Sequence, residues 1–148
     1  MAAYPSTTTA VSTEAVVARS QANQPFMIEK TFDLDTLLSA KIANADIINL
    51  FTLPANHVIL ATRIKIMVAN VGAGGTSTLK LRFGTTDVSA TADMLTINTV
   101  ATGGSATTAL PLNVGTSDVL VNLVAAVGSG TTTTNPTVLV KMLVCDMS

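Results

Sequence analysis

Apolar and polar positions alternate along much of this chain with a period of two. In RIKIMV (63–68), Ile64, Ile66 and Val68 share one parity and Arg63 and Lys65 the other. In TLKLRF (78–83), Leu79, Leu81 and Phe83 alternate with Lys80 and Arg82. Successive side chains of a strand point to opposite faces, so both runs read as strands with one apolar and one basic face. The glycine-rich VGAGG between them predicts a hairpin. That pairing would gather Arg63, Lys65, Lys80 and Arg82 on one side, where like charges directly opposite one another are destabilising.

The same signal runs from Ala45 to the end. ADIINLFTL is a predicted strand stopped by a turn at Pro54-Ala55-Asn56, and HVILATRIKIMVAN is a long strand. A strand is predicted from about Met94 to Val100. ALPLNV reads as a short edge segment because of Pro111. SDVLVNLVAAV and TVLVKMLVCDM are strong strands joined by the hairpin-type loop GSGTTTTNP. Upstream, FMIEKTF alternates Phe26, Ile28 and Lys30 against Met27, Glu29 and Thr31. DLDTLLSAKIAN fits either a helical turn or two, capped by Asp33 or Asp35, or a strand-like crossover. The expected fold is all-β, an antiparallel β-sandwich or jelly roll of about six to eight strands.

Two strands are apolar on both faces. Val119, Val121 and Leu123 alternate with Leu120, Val124 and Ala126. Val138, Val140 and Val144 alternate with Leu139, Leu143 and Cys145. A two-layer sandwich wets one face of each strand, so dry faces predict a third layer or a second copy of the chain.

Residues 1–25 read as an extended N-terminal arm preceding a domain at 26–148. The segment PSTTTAVST is poor in bulky apolar residues, and a short helix over Ser12–Arg19 is possible. Such an arm is either a loose terminus or a segment that orders on a neighbouring subunit, for example by adding a strand to a sheet edge.

Composition sharpens this picture. Apolar residues make up 48% of the 148 and charged residues 11%, about half the usual charged share. A chain with so few charges predicts a surface partly hidden in an assembly. A net charge of −1 and a near-absence of aromatics, with no Trp and one Tyr, argue against nucleic-acid binding. The N-terminus lacks the basic start and apolar run of a signal peptide, and no apolar run is long enough to span a membrane. The single Cys145 excludes an intrachain disulfide and fits a protein made in a reducing cytosol.

Catalytic and cofactor patterns are missing. His57 is the only histidine and has no ligand at metal spacing, so it reads as an ordinary turn or interface residue. Asp33 and Asp35 lack a calcium-loop pattern. VGAGGT and ATGGSAT lack the lysine of a phosphate loop. No serine sits in a nucleophile elbow. The expectation is therefore no enzyme and no cofactor. One constellation remains: Arg63, Lys65, Lys80, Arg82 and Lys141 all lie inside predicted strands, whereas the acidic residues from Asp46 onward sit at strand ends or in loops. They are either edge guards on a solvated face or a docking surface for an acidic partner.

The stretch ADIINLFTLPANHVILATRIKIMVANVG resembles small virion proteins of tailed bacteriophages, through Asp46, Ile47, Leu50, Leu53, Pro54, Ala55, Val58, Ile64, Ile66 and Val68. LKLRFGTTDVSATADML is similar to the same family, and the resemblance covers roughly residues 30–148. It implies a capsid decoration or cement protein, made in the host cytoplasm and placed on the phage head surface. The implied partner is the major capsid protein, and the implied unit is a homotrimer. The alternatives are a phage tail, neck or fibre component, and a carbohydrate-binding β-sandwich module.

Overall fold

The computed structural model describes residues 3–4, 24–69, 76–103, 110–128 and 134–147. Most of the arm, with the helix considered at Ser12–Arg19, lies outside them. So do most of the glycine-rich loops.

Six strands of seven residues or more build the molecule: β2 (Pro25–Asp33), β3 (Ile47–Leu53), β4 (His57–Val68), β5 (Ser77–Phe83), β10 (Val119–Val127) and β11 (Thr137–Asp146). Short strands complete them: β1 (Ala3–Tyr4), β6 (Thr86–Asp87), β7 (Ala92–Asp93), β8 (Val100–Thr102) and β9 (Leu112–Asn113). One sheet runs β1-β3-β10-β5-β6, with β7 also on β5; the other runs β2-β11-β4-β8, with β9 also on β4. Among the described residues every pairing is antiparallel except β1 on β3. The expected antiparallel sandwich is the observed fold.

Alternation builds the core. Leu79, Leu81, Val121, Leu123, Ile48 and Phe51 point inward from the first sheet, and Ile64, Ile66, Val138, Val140, Ile28 and Phe32 from the second. Phe32 and Phe51 stack across the core with ring centroids 6.4 Å apart. Three register shifts interrupt the ladders, one of them at Met67 near the end of β4. Asn49 pairs with Asn122 but Phe51 with Val121, so Leu50 is the extra residue in β3. Ala61 pairs with Leu143 but Ile59 with Val144, so Leu60 is the extra residue in β4. The inward parity of β4 changes there, from His57 and Ile59 to Thr62, Ile64 and Ile66. Thr62 reaches across the interior and donates its hydroxyl to the Val88 carbonyl. Gly103 closes over that contact; a Cβ there would stand 2.8 Å from the Val88 oxygen and nearer still to the Thr62 hydroxyl.

Local chemistry places the connections. Asn56, at φ 61°, makes the turn after Pro54 as expected, since asparagine tolerates the left-handed region. The choice left open after β2 resolves to a helical turn, α1 (Leu34–Leu37), capped by Asp33, whose Oδ1 accepts from the Asp35 and Thr36 N–H groups at 3.1 and 3.4 Å. Asn135 ties the following segment to the start of β11. Its Oδ1 accepts from Ile42 N–H at 2.9 Å, and its Nδ2 donates to the Leu34 and Ala40 carbonyls at 3.3 and 3.1 Å.

Three expectations fail. The runs RIKIMV and TLKLRF do not form a hairpin: β4 pairs with β11, β8 and β9, and β5 with β10, β6 and β7, in opposite sheets. The link from β10 to β11 likewise crosses between sheets and is no hairpin. Alternation is satisfied equally by a hairpin and by two strands facing each other across a core, and the sandwich also separates the basic faces. Finally, residues 94–99 form turns, and the strand there begins only at Val100. Asp93 sets those turns by accepting from Leu95 N–H at 2.9 Å and from the Thr96 hydroxyl at 2.8 Å.

Candidate docking surface

The five basic residues divide between the two outer faces. Lys80 and Arg82 stand on the outer face of the first sheet. Gly84, at φ 57°, turns the chain tightly after β5, so that Arg82 pairs with Asp87 in β6. Asp87 then takes both cations, with Lys80 Nζ at 2.7 Å and Arg82 Nε at 3.1 Å. Partial burial opposes ionisation of Asp87, but the hydrogen bonds from Lys80 and Arg82 outweigh it and hold the carboxyl below its ordinary value of 3.8. Two of the five charges are thus engaged inside the chain.

Arg63, Lys65 and Lys141 share the outer face of the second sheet. Glu29, Lys141, Arg63 and Thr102 form one row across β2, β11, β4 and β8; Thr31, Leu139, Lys65 and Val100 form the next. Lys141 Nζ lies 2.8 Å from Glu29 Oε2. Among the described residues, neither Arg63 nor Lys65 has an ion pair.

Exposed apolar side chains accompany them. Met67, Val68, Ile97 and Val100 are between 38% and 55% exposed. They lie around the same end of β4, because Asn98 N–H donates to the Ile66 carbonyl and Ile66 N–H to the Thr99 carbonyl. Cationic heads beside exposed aliphatic surface make a patch suited to a protein partner with carboxylates at its rim. The outward Leu139 and Leu143 of β11 and Leu120 and Val124 of β10 are only half-buried, so the dry strand faces read from the sequence stay partly open to solvent.

Sequence reasoning missed the acidic partners. The Asp87 pairing had a signal, since a two-residue turn at Gly84-Thr85 puts position 87 opposite position 82. The Glu29–Lys141 pair had none, because β2 and β11 are more than a hundred residues apart. His57 is buried at the start of β4, with Nδ1 3.0 Å from the Ala55 carbonyl and its ring edge-on to Phe26. Cys145 is buried with a free thiol. Asp46 is buried too, and its Oδ2 accepts from Ala43 N–H at 2.8 Å. Among the described residues no group of three His, Cys, Asp or Glu side chains could hold a metal, and no helix is long and apolar enough to cross a membrane.

No protein-family model matches this chain, and no curated protein matches it. Its fold does have solved counterparts. A chain in the structure titled "Capsid of Ralstonia phage GP4" superposes with a TM-score of 0.68 at 16% identity, over 95% of this chain and 96% of that one. A chain in "Cyanophage Pam1 capsid asymmetric unit" superposes with a TM-score of 0.56, also at 16% identity, over 95% and 98%. At that identity the likeness establishes a shared fold over nearly the whole length of all three chains.

Proposed function

We propose that this chain is a structural protein of a bacteriophage virion that decorates the outside of the head and cements its shell. The observation that carries this reading is the fold match to chains in two phage capsids, covering at least 95% of each chain. Scarce charge and a patch joining basic and aliphatic side chains support a surface that works by contact.

In this reading each copy bridges neighbouring subunits of the major capsid protein and resists outward pressure on the shell. Docking uses the outer face of the second sheet, with Arg63 and Lys65 meeting acidic ground on the shell and Met67, Val68, Ile97 and Val100 excluding water around them. Lys141 reaches the same rim through its pair with Glu29. Lys80 and Arg82, engaged by Asp87 on the opposite face, contribute less. The working unit is a homotrimer.

Gold-labelled antibody against the chain, applied to intact particles, tests the placement. Label over the head surface is expected. Label confined to tail or neck, or particles lacking the chain altogether, would overturn the reading. Light scattering on a sizing column tests the unit: three times the 15.2 kDa subunit mass is expected, and a stable monomer refutes the preassembled trimer.

A further inference from the structure

The long strands at the sheet margins are protected unequally. Along its outer edge β4 carries β8 and β9, and β5 carries β6 and β7. β2 is a margin too, but it begins at Pro25 and bears Glu29, Lys30 and Asp33, with Lys30 on the inward parity among Ile28 and Phe32. Proline and inward charge are devices that discourage a further strand from pairing. β3 has neither. Its sequence IINLFTL contains no charge and no proline, and on its outer side the described residues supply only β1. That pairing is two residues long, Ala3 with Ile47 and Tyr4 with Ile48, and it is the one parallel pairing among the described residues. The outer edge of residues 49–53 is left without a partner strand among the described residues.

The strand that occupies this edge is separated from the domain by residues 5–23. Nineteen residues of extended chain reach up to about 65 Å. A domain the size of residues 26–148 has a radius of gyration of only about 14 Å, so a length of nineteen residues is enough to span to a neighbouring molecule as well as to its own. The backbone hydrogen bonds of a β1–β3 pair are the same whichever molecule donates β1. What differs is the concentration of donor strands, which an assembly raises.

We propose that the β3 edge is an acceptor site for the N-terminal strand of a second copy of this chain, so that β1 pairs with β3 between molecules. The inference rests on the sheet topology and is independent of the virion reading. Exchange links copies through an arm and leaves the basic patch of the second sheet free for another partner.

Two single-cysteine variants of the full chain test it: Ala3→Cys and Ile47→Cys, made separately and distinguished by isotope labelling. After mixing and equilibration they are treated with a short bis-maleimide, whose spacer tolerates imperfect thiol geometry. The wild-type chain, with only the buried Cys145, serves as blank. The expected product is a cross-linked heterodimer carrying one light and one heavy chain. It should be depleted at least fivefold when Ile47→Cys is replaced by Ile97→Cys, which lies on the other sheet's side. The double variant Ala3→Cys/Ile47→Cys provides the contrary outcome. If it links only within one chain while the mixed singles stay unlinked, β1 pairs only with its own β3 and the proposal falls. If neither sample links, β1 does not rest on β3 and the proposal falls as well. Intermolecular linking in a sample without a virion or capsid protein supports exchange whatever the chain's function.

Discussion

Arg63 stands directly opposite Lys141 across the β4–β11 pair, two like charges in neighbouring strands. The arrangement persists because Glu29, opposite Lys141 on its other side, lies 2.8 Å from the lysine ammonium. Replacing Glu29 with Gln removes that neutralisation. All three groups are substantially exposed, so the expected loss is small, about 0.5 kcal/mol. Urea unfolding at two salt concentrations checks it. The deficit should shrink at high salt, where the remaining Arg63–Lys141 repulsion is screened.

Asp87 gives the first sheet an acid sensitivity. Its carboxyl titrates below the ordinary value of 3.8 because the hydrogen bonds from Lys80 and Arg82 outweigh partial burial. A carboxyl lowered in the folded state stabilises it fully above the unfolded value, and this contribution disappears as pH falls through the folded one. Asp87→Asn should therefore lower stability by about 1 kcal/mol at neutral pH, after allowance for solvent screening. The variant and wild type should converge in acid, below the ordinary aspartate range. Thermal melts between pH 2 and 7, analysed as the difference between the two proteins, test both the size and the sign.

Asn135 is buried and makes three side-chain hydrogen bonds to the backbone of residues 34–42. Asn135→Leu keeps the branched shape but strands the Ile42 N–H and removes a donor from the Ala40 carbonyl, while the Leu34 carbonyl keeps the Leu38 N–H. Buried groups without partners are expensive, so a loss of about 2–4 kcal/mol is expected. Denaturant midpoints measure it, and a change under 1 kcal/mol would mean water replaces the amide. Local loosening should appear in hydrogen exchange as faster exchange at Ile42, ahead of the central strands.

The two basic faces make distinguishable predictions for docking. Arg63→Glu with Lys65→Glu should reduce binding to heads stripped of the chain by tenfold or more, and flatten its salt dependence. Lys80→Glu with Arg82→Glu should do far less to binding. It should instead destabilise the chain, because it sets two glutamates beside Asp87. Sedimentation binding at several ionic strengths, paired with melts of each variant, separates the faces. Equal losses from both pairs would mean that the outer face of the second sheet is not the principal contact.

Much of the architecture could be read before any coordinates. The period of two put Ile64, Ile66, Leu79 and Leu81 on apolar faces, and all four are buried, whereas Val68, read on the same face as Ile64, is exposed. Pro54-Ala55-Asn56 marked a turn, and Asp33 and Asp35 were the two candidate caps of which the structure uses Asp33, because those signals depend on residues a few positions apart. The bulges at Leu50 and Leu60 were not legible, since an extra residue in a strand of mostly apolar side chains leaves the hydrophobic pattern ambiguous.

The sequence by itself determined which side of β5 and of the second half of β4 is apolar, because side-chain direction alternates whatever the strand is paired with. Tertiary structure alone decided the partners. It placed β4 and β5 in opposite sheets and so split the basic set into two faces. It brought Glu29 to Lys141 across more than a hundred residues and set β1 on the open edge of β3. Strand pairing is chosen by long-range packing and by the closure of every connection at once, and no local pattern encodes that choice.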